Sequence, residues 1–519
     1  MTNTDRQPII GWGTQNRDMD AVRIMLGKIE AYGVNHIQLM DKSAWSGAGF
    51  LDYEGDQLPD PGMAREINQI IEKAHAKEAE VFIWVHELAA LPESILAEIQ
   101  RPDGSCDLSG DSLWEMLHNR YAELVRRLPE LDGIIVTLRE TQLPIHLQQT
   151  IGMTPVQAVE KIIDVLRTAS RRKLFIRTFS VSPGELDTLS TAVHNAPADV
   201  GVMTKVICQD WHPYRPFNPE IGQFPERDQI VEFDLAGEYL GQGLIPYCNP
   251  EYFRMCFDFL REKKVQGVVG RINRLQNEVF GTFNEINIHA FNRYARDDRA
   301  EARHVWDEWL EAKYGPRNGE YVRPILEKTA EIVHDGLFSL RWRMMNYHST
   351  AAPNLNYPRT RVATQSLAKW DAWYQPLHDE LEHPTDDTFE RASAQKDKAL
   401  LLVEAARCDL RLARPYITEA QTSELAAALR QTEGVVRLYR GLDRAYFALR
   451  ALEENPSPDR QARAQACNRE LAELIDELDK AFNGSLRCGP PRSNCWEMLP
   501  RARQLHAELT AAGKAAQAE

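Results

Sequence analysis

Three acidic residues stand out because each follows a short apolar run, as a side chain at the end of a buried strand does. They are Glu140 (in VTLRET), Asp210 (in KVICQDWH) and Glu238 (in FDLAGEYLGQ). Facing carboxylates can cleave a glycosidic bond: one donates a proton to the leaving oxygen, and another activates water or attacks the anomeric carbon. Each could equally be a helix cap or an ion-pair partner. Arg139 should point away from Glu140 and form an outer ion pair.

Four further residues at such positions could bind a ligand. Arg177 and Lys205 could pair with a substrate carboxylate. Trp12 could pack on a sugar ring or only fill space, and His86 could bind substrate or be a hydrogen-bonded core histidine. Other polar residues follow the same apolar runs: Gln15, Asn16, Asp41, Lys42, Glu87, Arg271 and Asn273.

Eight apolar runs in the first 270 residues resemble strands buried on both faces, and amphipathic helical segments such as 20–32, 114–128 and 155–169 separate them. This alternation predicts an α/β fold, a closed (β/α)8 TIM barrel. The alternative is an open doubly wound sheet, but Gly11 and Gly13 do not continue into the GxGxxG loop usual there. The runs are residues 8–12, 34–40, 81–85, 133–138, 174–179, 200–204, 230–234 and 265–270.

A barrel of this kind carries its active site at the carboxyl ends of its strands. The polar residues that follow the eight runs should therefore meet at one face. Three carboxylates, two cations, a tryptophan and a histidine would suit an anionic, hydroxylated ligand. Burial and neighbouring negative charge would raise the pKa of the carboxyl that donates the proton.

The second part of the chain has a different pattern. Segments 302–313, 324–334, 396–412 and 422–452 have helical periodicity, and no strand-like run follows residue 300. We therefore predict a barrel over 1–300 and an all-α domain over 301–519, interrupted by a loop at 487–494. This domain could brace the barrel, form a homodimer, or contribute one residue to the rim of the site.

Composition limits the partners and the compartment. The 519 residues carry a formal net charge of -15, which argues against nucleic acid or an anionic membrane as a partner. No apolar run reaches the length of a membrane span, and the polar start lacks the features of a signal peptide. Eight scattered cysteines without a CxxC pair favour reduced thiols and a cytoplasmic location.

Several motifs resemble the barrel of family 67 glycoside hydrolases, the α-glucuronidases. LPELDGIIVTLRETQ resembles the family's segment with the acid glutamate, and LFIRTFSV resembles the next strand with its arginine. The family's lysine, aspartate and glutamate are spaced by five and then 28 positions, as Lys205, Asp210 and Glu238 are here. NEINIHAFNRYARDD followed by VWDEWL resembles the family's passage into its helical domain.

The resemblance implies an exo-acting, inverting glycoside hydrolase that removes a terminal uronic acid from a small oligosaccharide or glycoside. Glu140 would be the proton donor, and Asp210, Glu238 or both would activate water. Arg177 and Lys205 would bind the uronic acid, on which Trp12 would pack. The first predicted strand starts at residue 8, so we expect no counterpart of the family's amino-terminal β-domain in this sequence, and Val136 replaces a family lysine. A terminal uronic acid or related sugar is thus a better prediction than xylan side chains.

Two other functions fit the same barrel. A lyase or isomerase of sugar acids could recruit a divalent metal through carboxylates from successive strands, although the regular acidic spacing for this is not evident. A non-catalytic carbohydrate-binding barrel would keep the pocket without turnover. For the hydrolase, we expect no cofactor and no metal.

Overall fold

The computed structural model describes residues 7–14, 19–40, 61–89, 91–213, 215–274, 277–486 and 498–516. Gln15, Asn16, Asp41, Lys42 and the predicted loop at 487–494 lie outside these ranges.

Eight parallel strands form a closed barrel, and each pairs with its neighbours in chain order. The last strand closes on the first, with Gly13 opposite Arg271. The predicted barrel is therefore confirmed, and each strand lies within two residues of its apolar run. Strands β1–β8 are Ile9–Thr14, His36–Met40, Glu80–His86, Gly133–Thr137, Lys173–Arg177, Val200–Lys205, Gln229–Asp234 and Gly267–Arg271.

Helices cover the outside of the barrel. The alternation is incomplete, because the described residues between β6 and β7 form a long connection without a helix. In chain order, helices α1–α8 are Met19–Tyr32, Pro61–His75, Glu93–Ile99, Ser112–Arg127, Pro155–Ser170, Pro183–Asn195, Pro250–Lys263 and Glu285–Arg296. The loops contain two short ladders and one 3-10 turn. The ladders pair Cys106–Asp107 with Thr150–Ile151 and Asn273–Arg274 with Asn277–Glu278, and the turn is Ile145–Leu147.

Alternate residues of each strand fill the barrel or pack against the helices, because successive side chains point to opposite faces. The interior is a separate apolar cluster in which Gly133 and Gly201 leave room for Phe82 and Phe175, whose ring atoms would lie 2.1 and 2.3 Å from an added Cβ. The interior cluster comprises Met40, Phe82, Trp84, Ile135, Phe175, Met203, Ile230 and Val269.

The rest of the described chain is mainly helical, as predicted. A tight hairpin, in which Asn346–Tyr347 pairs with Thr350–Ala351, departs locally from the predicted all-α pattern. His348 and Ser349 form its turn with positive φ angles. Helices α9–α17 are Ala302–Tyr314, Gly319–Glu327, Thr329–Leu337, Asn356–Thr364, Gln375–Glu382, Asp386–Ala413, Glu419–Glu454, Pro458–Phe482 and Met498–Ala515, with 3-10 turns at Leu367–Lys369, Ala372–Tyr374 and Arg414–Tyr416.

Within the described ranges, no helix is both long and apolar enough for a membrane span. The domain boundary at residue 300, the cytoplasmic location and the homodimer stay predictions.

One carboxyl group of the β6–β7 connection is buried and has no ion-pair partner among the described residues. Glu220 is 5% exposed, and neither of its carboxylate oxygens has a hydrogen-bond partner of ordinary geometry. Burial raises the pKa of Glu220 to about 7, because the nearby hydroxyls of Thr178 and Ser190 only partly offset the lost hydration. The folded protein therefore holds a proton here that the unfolded chain releases at lower pH.

We expect the free energy of unfolding to fall by about 2–3 kcal/mol as pH rises from about 5 to 7, and to level off above that pH. Glu220→Gln should remove this dependence and be more stable than the wild type at pH 8. Thermal unfolding midpoints across this pH range measure the effect, with exposed Glu226→Gln as the control. Parallel pH curves for wild type and Glu220→Gln would contradict the explanation.

Candidate active site

The carboxyl ends of the barrel strands bring the three predicted acids into electrostatic contact. Glu140 follows β4 with a φ of 60°, a left-handed conformation that bends the chain directly after the strand. Arg139 turns away and pairs with Glu185 at 3.1 Å, which confirms its predicted outer ion pair. Glu140 keeps an accessible surface, and both Asp210 and Glu238 act on its charge.

Asp210 lies in the connection after β6 and accepts hydrogen bonds on both oxygens. Lys205 Nζ lies 3.1 Å from Oδ1, and the backbone N–H of Trp211 donates to the same oxygen at 3.0 Å. The Tyr239 hydroxyl donates to Oδ2 at 2.6 Å, and Arg343 Nη1 donates to it at 3.2 Å. Two cations from different parts of the chain therefore bind one carboxylate.

Glu238, in the connection after β7, is also surrounded by donors. Arg271 Nη2 lies 2.7 Å from Oε2, and Arg274 Nη2 lies 2.8 Å from Oε1. His348 Nδ1 makes a short hydrogen bond to Oε1, and the Ser349 hydroxyl donates to the backbone carbonyl of Glu238 at 2.9 Å. The hairpin turn of the helical region thus reaches this carboxylate.

These surroundings separate the proton affinities of the three acids. Burial alone would raise the pKa of Asp210, but Lys205, Arg343 and His348 with the Tyr239 hydrogen bond hold it well below its usual range. Burial likewise opposes ionisation of Glu238, yet Arg274, Arg271 and His348 hold its pKa well below the usual range. The surroundings of Glu140 have the opposite effect and raise its pKa.

No cation contacts Glu140 directly within the described ranges. Loss of hydration raises the pKa of Glu140, and the negative charges of Asp210 and Glu238 raise it further. Lys205 and Arg177 only partly oppose these effects. Glu140 therefore has a higher proton affinity than the two acids beside it, the arrangement that general acid–base chemistry requires.

The two predicted cations have different surroundings. Lys205 contacts Asp210 and lies between the rings of Phe179 and Trp211, 3.8 and 4.5 Å from their centroids. Arg177 instead binds Glu232 within the barrel through two hydrogen bonds of 2.7 and 3.3 Å. One edge of the Arg177 guanidinium is thus paired inside the barrel, and its charge acts on Glu140.

His86 ends β3 and lies with the site cations. It is 4% exposed, and within the described chain neither ring nitrogen has a hydrogen-bond partner. Burial, together with the charges of Arg177 and Lys205, lowers its pKa to about 3. It is therefore a neutral imidazole with one donor and one acceptor to offer. The alternative of a hydrogen-bonded core histidine does not match this position.

Trp12 is not part of this group. It is fully buried (0% exposed) on the outer face of β1, between Tyr32 of α1 and Phe280, with ring centroids 5.2 and 5.3 Å away. Its strand neighbours Gly11 and Gly13 take the inward positions, so side-chain alternation turns Trp12 outward. The predicted role of Trp12 as a sugar platform therefore needs correction, and its alternative role of filling space fits.

Sequence reasoning did not identify several residues of the site. Tyr239 lies inside a quoted motif, and Arg271 was noted at a strand end, so both had a local signal. Arg343 and His348 come from the helical region, where only a general contribution to the rim was expected. Nothing in the helical periodicity indicates either residue.

A metal could in principle use this cluster. One atom each of Asp210, Glu238 and His348 lie within 4.8 Å of one another, and carboxylate with imidazole is a common donor set. The carboxylate oxygens, however, already accept from Lys205, Arg343, Arg271 and Arg274. A dication would have to displace these cations, so the described geometry fits an ion-paired site better than a metal centre.

Comparison with known proteins identifies structural relatives only. No protein-family model and no curated sequence matches the chain. A GH138 enzyme targeting pectin rhamnogalacturonan II is similar over 98% of this chain and 67% of that one, with a TM-score of 0.63 and 10% identity.

Two further solved structures are more distant in shape. An O-GlcNAc hydrolase from Thermobaculum terrenum matches 99% of this chain and 96% of that one, with a TM-score of 0.47 and 10% identity. A GH115 4-O-methyl-α-glucuronidase with specificity for decorated arabinogalactans matches 92% and 60%, with a TM-score of 0.49 and 11% identity. These structural neighbours are glycoside hydrolases. At such identities the likeness concerns the fold, and membership of family 67 stays a prediction.

The Arg177–Glu232 pair gives a test of the barrel interior. Both side chains are at most 3% exposed, so Glu232→Gln would leave a buried guanidinium unpaired and should lower the free energy of unfolding by about 3 kcal/mol or more. Glu80→Gln removes the partner of Lys173 in a pair with side chains 42% and 53% exposed, and should cost less than about 1 kcal/mol. Urea unfolding of both variants measures the difference, and equal losses would contradict it.

Proposed function

We propose that the chain is an exo-acting glycoside hydrolase that removes a terminal uronic acid, or a related sugar, from a small oligosaccharide or glycoside. The observation that carries the proposal is the separation of proton affinities within one cluster. The pKa of Glu140 is raised, whereas cations hold the pKa values of Asp210 and Glu238 well below their usual range. Hydrolysis of a glycosidic bond needs this pair of opposite states.

The reaction assigned to the cluster is a single displacement. Glu140 donates its proton to the leaving oxygen as the glycosidic bond breaks, and an ionised carboxylate takes a proton from the attacking water. Asp210 is the preferred base, because its side chain is 18% exposed whereas that of Glu238 is 5% exposed. Inversion rests on the resemblance to family 67, whose mechanism requires acid and base to be separated by roughly 6.5–9.5 Å.

The numbers of basic and acidic side chains in the site support an acidic sugar as the substrate. The ion pairs of the site join five basic side chains to four carboxylates, so the basic groups outnumber the acidic ones by one. One uronic carboxylate would neutralise the remaining positive charge, and neutral His86 could hydrogen-bond the sugar hydroxyls. The cations are Arg177, Lys205, Arg271, Arg274 and Arg343, and the carboxylates are Asp210, Glu232, Asp234 and Glu238.

Glu140→Gln tests the proton donor. We expect turnover of a terminal α-uronide with a poor leaving group to fall by roughly 10²–10⁴-fold, because the leaving oxygen is no longer protonated. A dinitrophenyl uronide, whose leaving group needs no proton, should lose much less. Initial rates on both substrates measure this contrast, and NMR of the anomer first released reports the stereochemistry.

Exposed Glu130→Gln is the matched control and should leave both rates unchanged. Full activity of Glu140→Gln on the poor leaving group would contradict the assignment. Calorimetry that finds tight uronide binding by a wild type without turnover would favour the non-catalytic barrel instead.

The proximity of Asp210, Glu238 and His348 favours one second candidate, a metal-assisted lyase or isomerase of sugar acids. The two reaction classes differ in their response to metal removal. The hydrolase should keep its activity after exhaustive chelation and dialysis, because cations of the chain already occupy the carboxylate oxygens. Loss of turnover on chelation with recovery on adding Mg²⁺ or Mn²⁺ would favour the metal enzyme.

A further inference from the structure

A second group of buried donors lies behind the ion pairs of Asp210. Arg215 belongs to the connection between β6 and β7, and Trp342 and Arg343 precede the hairpin of the helical region. All three are nearly inaccessible, with 5%, 0% and 1% exposure. None of them was singled out as a site residue from the sequence.

Arg215 is a buried guanidinium without a carboxylate partner. Its Nη1 donates to Gln209 Oε1, whereas its Nε and Nη2 have no hydrogen-bond partner within the described chain. No carboxylate of the described ranges lies within ion-pair distance of it. Since a buried charge is strongly destabilising unless it is paired and hydrogen-bonded, an unpaired arginine at this depth calls for a compensating group.

Two neighbouring residues, Trp342 and Arg343, also have buried N–H donors without a hydrogen-bond partner in the described chain. These donors are the indole N–H of Trp342 and the Nε of Arg343. The guanidinium of Arg215 lies over the Trp342 ring, 5.1 Å from its centroid, a cation–π contact that compensates only in part.

The two guanidinium groups also repel each other. Burial lowers the pKa of Arg215 to about 9, and the positive charge of Arg343 is the next largest cause. Asp210 opposes this effect, but its oxygens are already shared by Lys205 and Arg343. Arg215 is therefore a third cation near Asp210, and unlike Lys205 and Arg343 it pairs with no carboxylate of the described ranges.

We propose that Arg215, Arg343 and Trp342 form a binding site for a small inorganic anion such as chloride. The unsatisfied groups are all N–H donors, so the ligand must be an acceptor, and a sugar hydroxyl would leave its own proton unpaired. The burial of all three side chains favours a small ion, and the unpaired charge of Arg215 favours an anion. This site goes beyond the proposed function, since it stabilises the fold whether or not the barrel cleaves glycosides.

Thermal unfolding of the full-length protein tests the site without any measurement of turnover. Chloride is varied at constant pH and ionic strength, with a large organic sulfonate as the replacing anion. An ion that binds only the folded state raises the unfolding midpoint along a saturable curve. We expect such a curve for the wild type with chloride and with bromide.

Variants assign the effect to Arg215. Arg215→Met should lose the chloride-dependent rise, and Arg215→Lys should require about tenfold more chloride or higher, because it keeps the charge but loses the fork. Exposed Arg303→Met is the control and should keep the wild-type response. If Arg215→Met does not fold, the chloride dependence of the unfolding midpoint of Arg215→Lys tests the proposal.

Two outcomes overturn the proposal. The first is a wild-type midpoint that is equal in chloride and in the sulfonate, or an unchanged response in Arg215→Lys. The second is an Arg215-dependent rise with glucuronate but none with chloride, which would assign the donors to a carboxylate of the substrate instead of a free ion.

Discussion

Asp210 and Glu238 can remain ionised inside the protein only because cations bind them on several sides. A buried carboxylate without such partners would take up a proton, since loss of hydration is the largest single effect on both groups. The same two negative charges then raise the pKa of Glu140. The high proton affinity of Glu140 thus depends on its own loss of hydration and on the charges of the other two acids.

This constraint explains the role of the helical region. Arg343 binds Asp210 and His348 binds Glu238, across 133 and 110 positions of the sequence. Asn346 also donates to the backbone of Tyr239 at 2.9 Å, which holds the hairpin against the connection after β7. A barrel without these residues would lose part of the charge that stabilises the ionised acids, so the helical region belongs to the chemistry of the site and does more than brace it.

The sequence predicted those features that a local pattern specifies. Strands buried on both faces are continuous apolar runs, and the residues that follow them meet at one end of the barrel, as Glu140, Asp210, Glu238 and Lys205 do. A uniformly apolar strand carries no signal for which side chains point inward, and this is why Trp12 was misplaced. The pairing of Arg177 with Glu232 and the contacts of Arg343 depend on distant chain segments, which periodicity does not report.

We expect Glu140 to hold its proton at a pH where Asp210 and Glu238 have lost theirs. Infrared difference titration across the acidic pH range measures these protonation states directly. The carboxyl-band difference between the wild type and Glu140→Gln reports Glu140, and the difference between the wild type and Asp210→Asn reports Asp210. We predict that the Glu140 carboxyl titrates above the ordinary glutamate pKa of about 4.3, and that the Asp210 carboxyl titrates below the ordinary aspartate pKa of about 3.9. Titration of Glu140 at or below the ordinary value, or of Asp210 above it, would contradict the account.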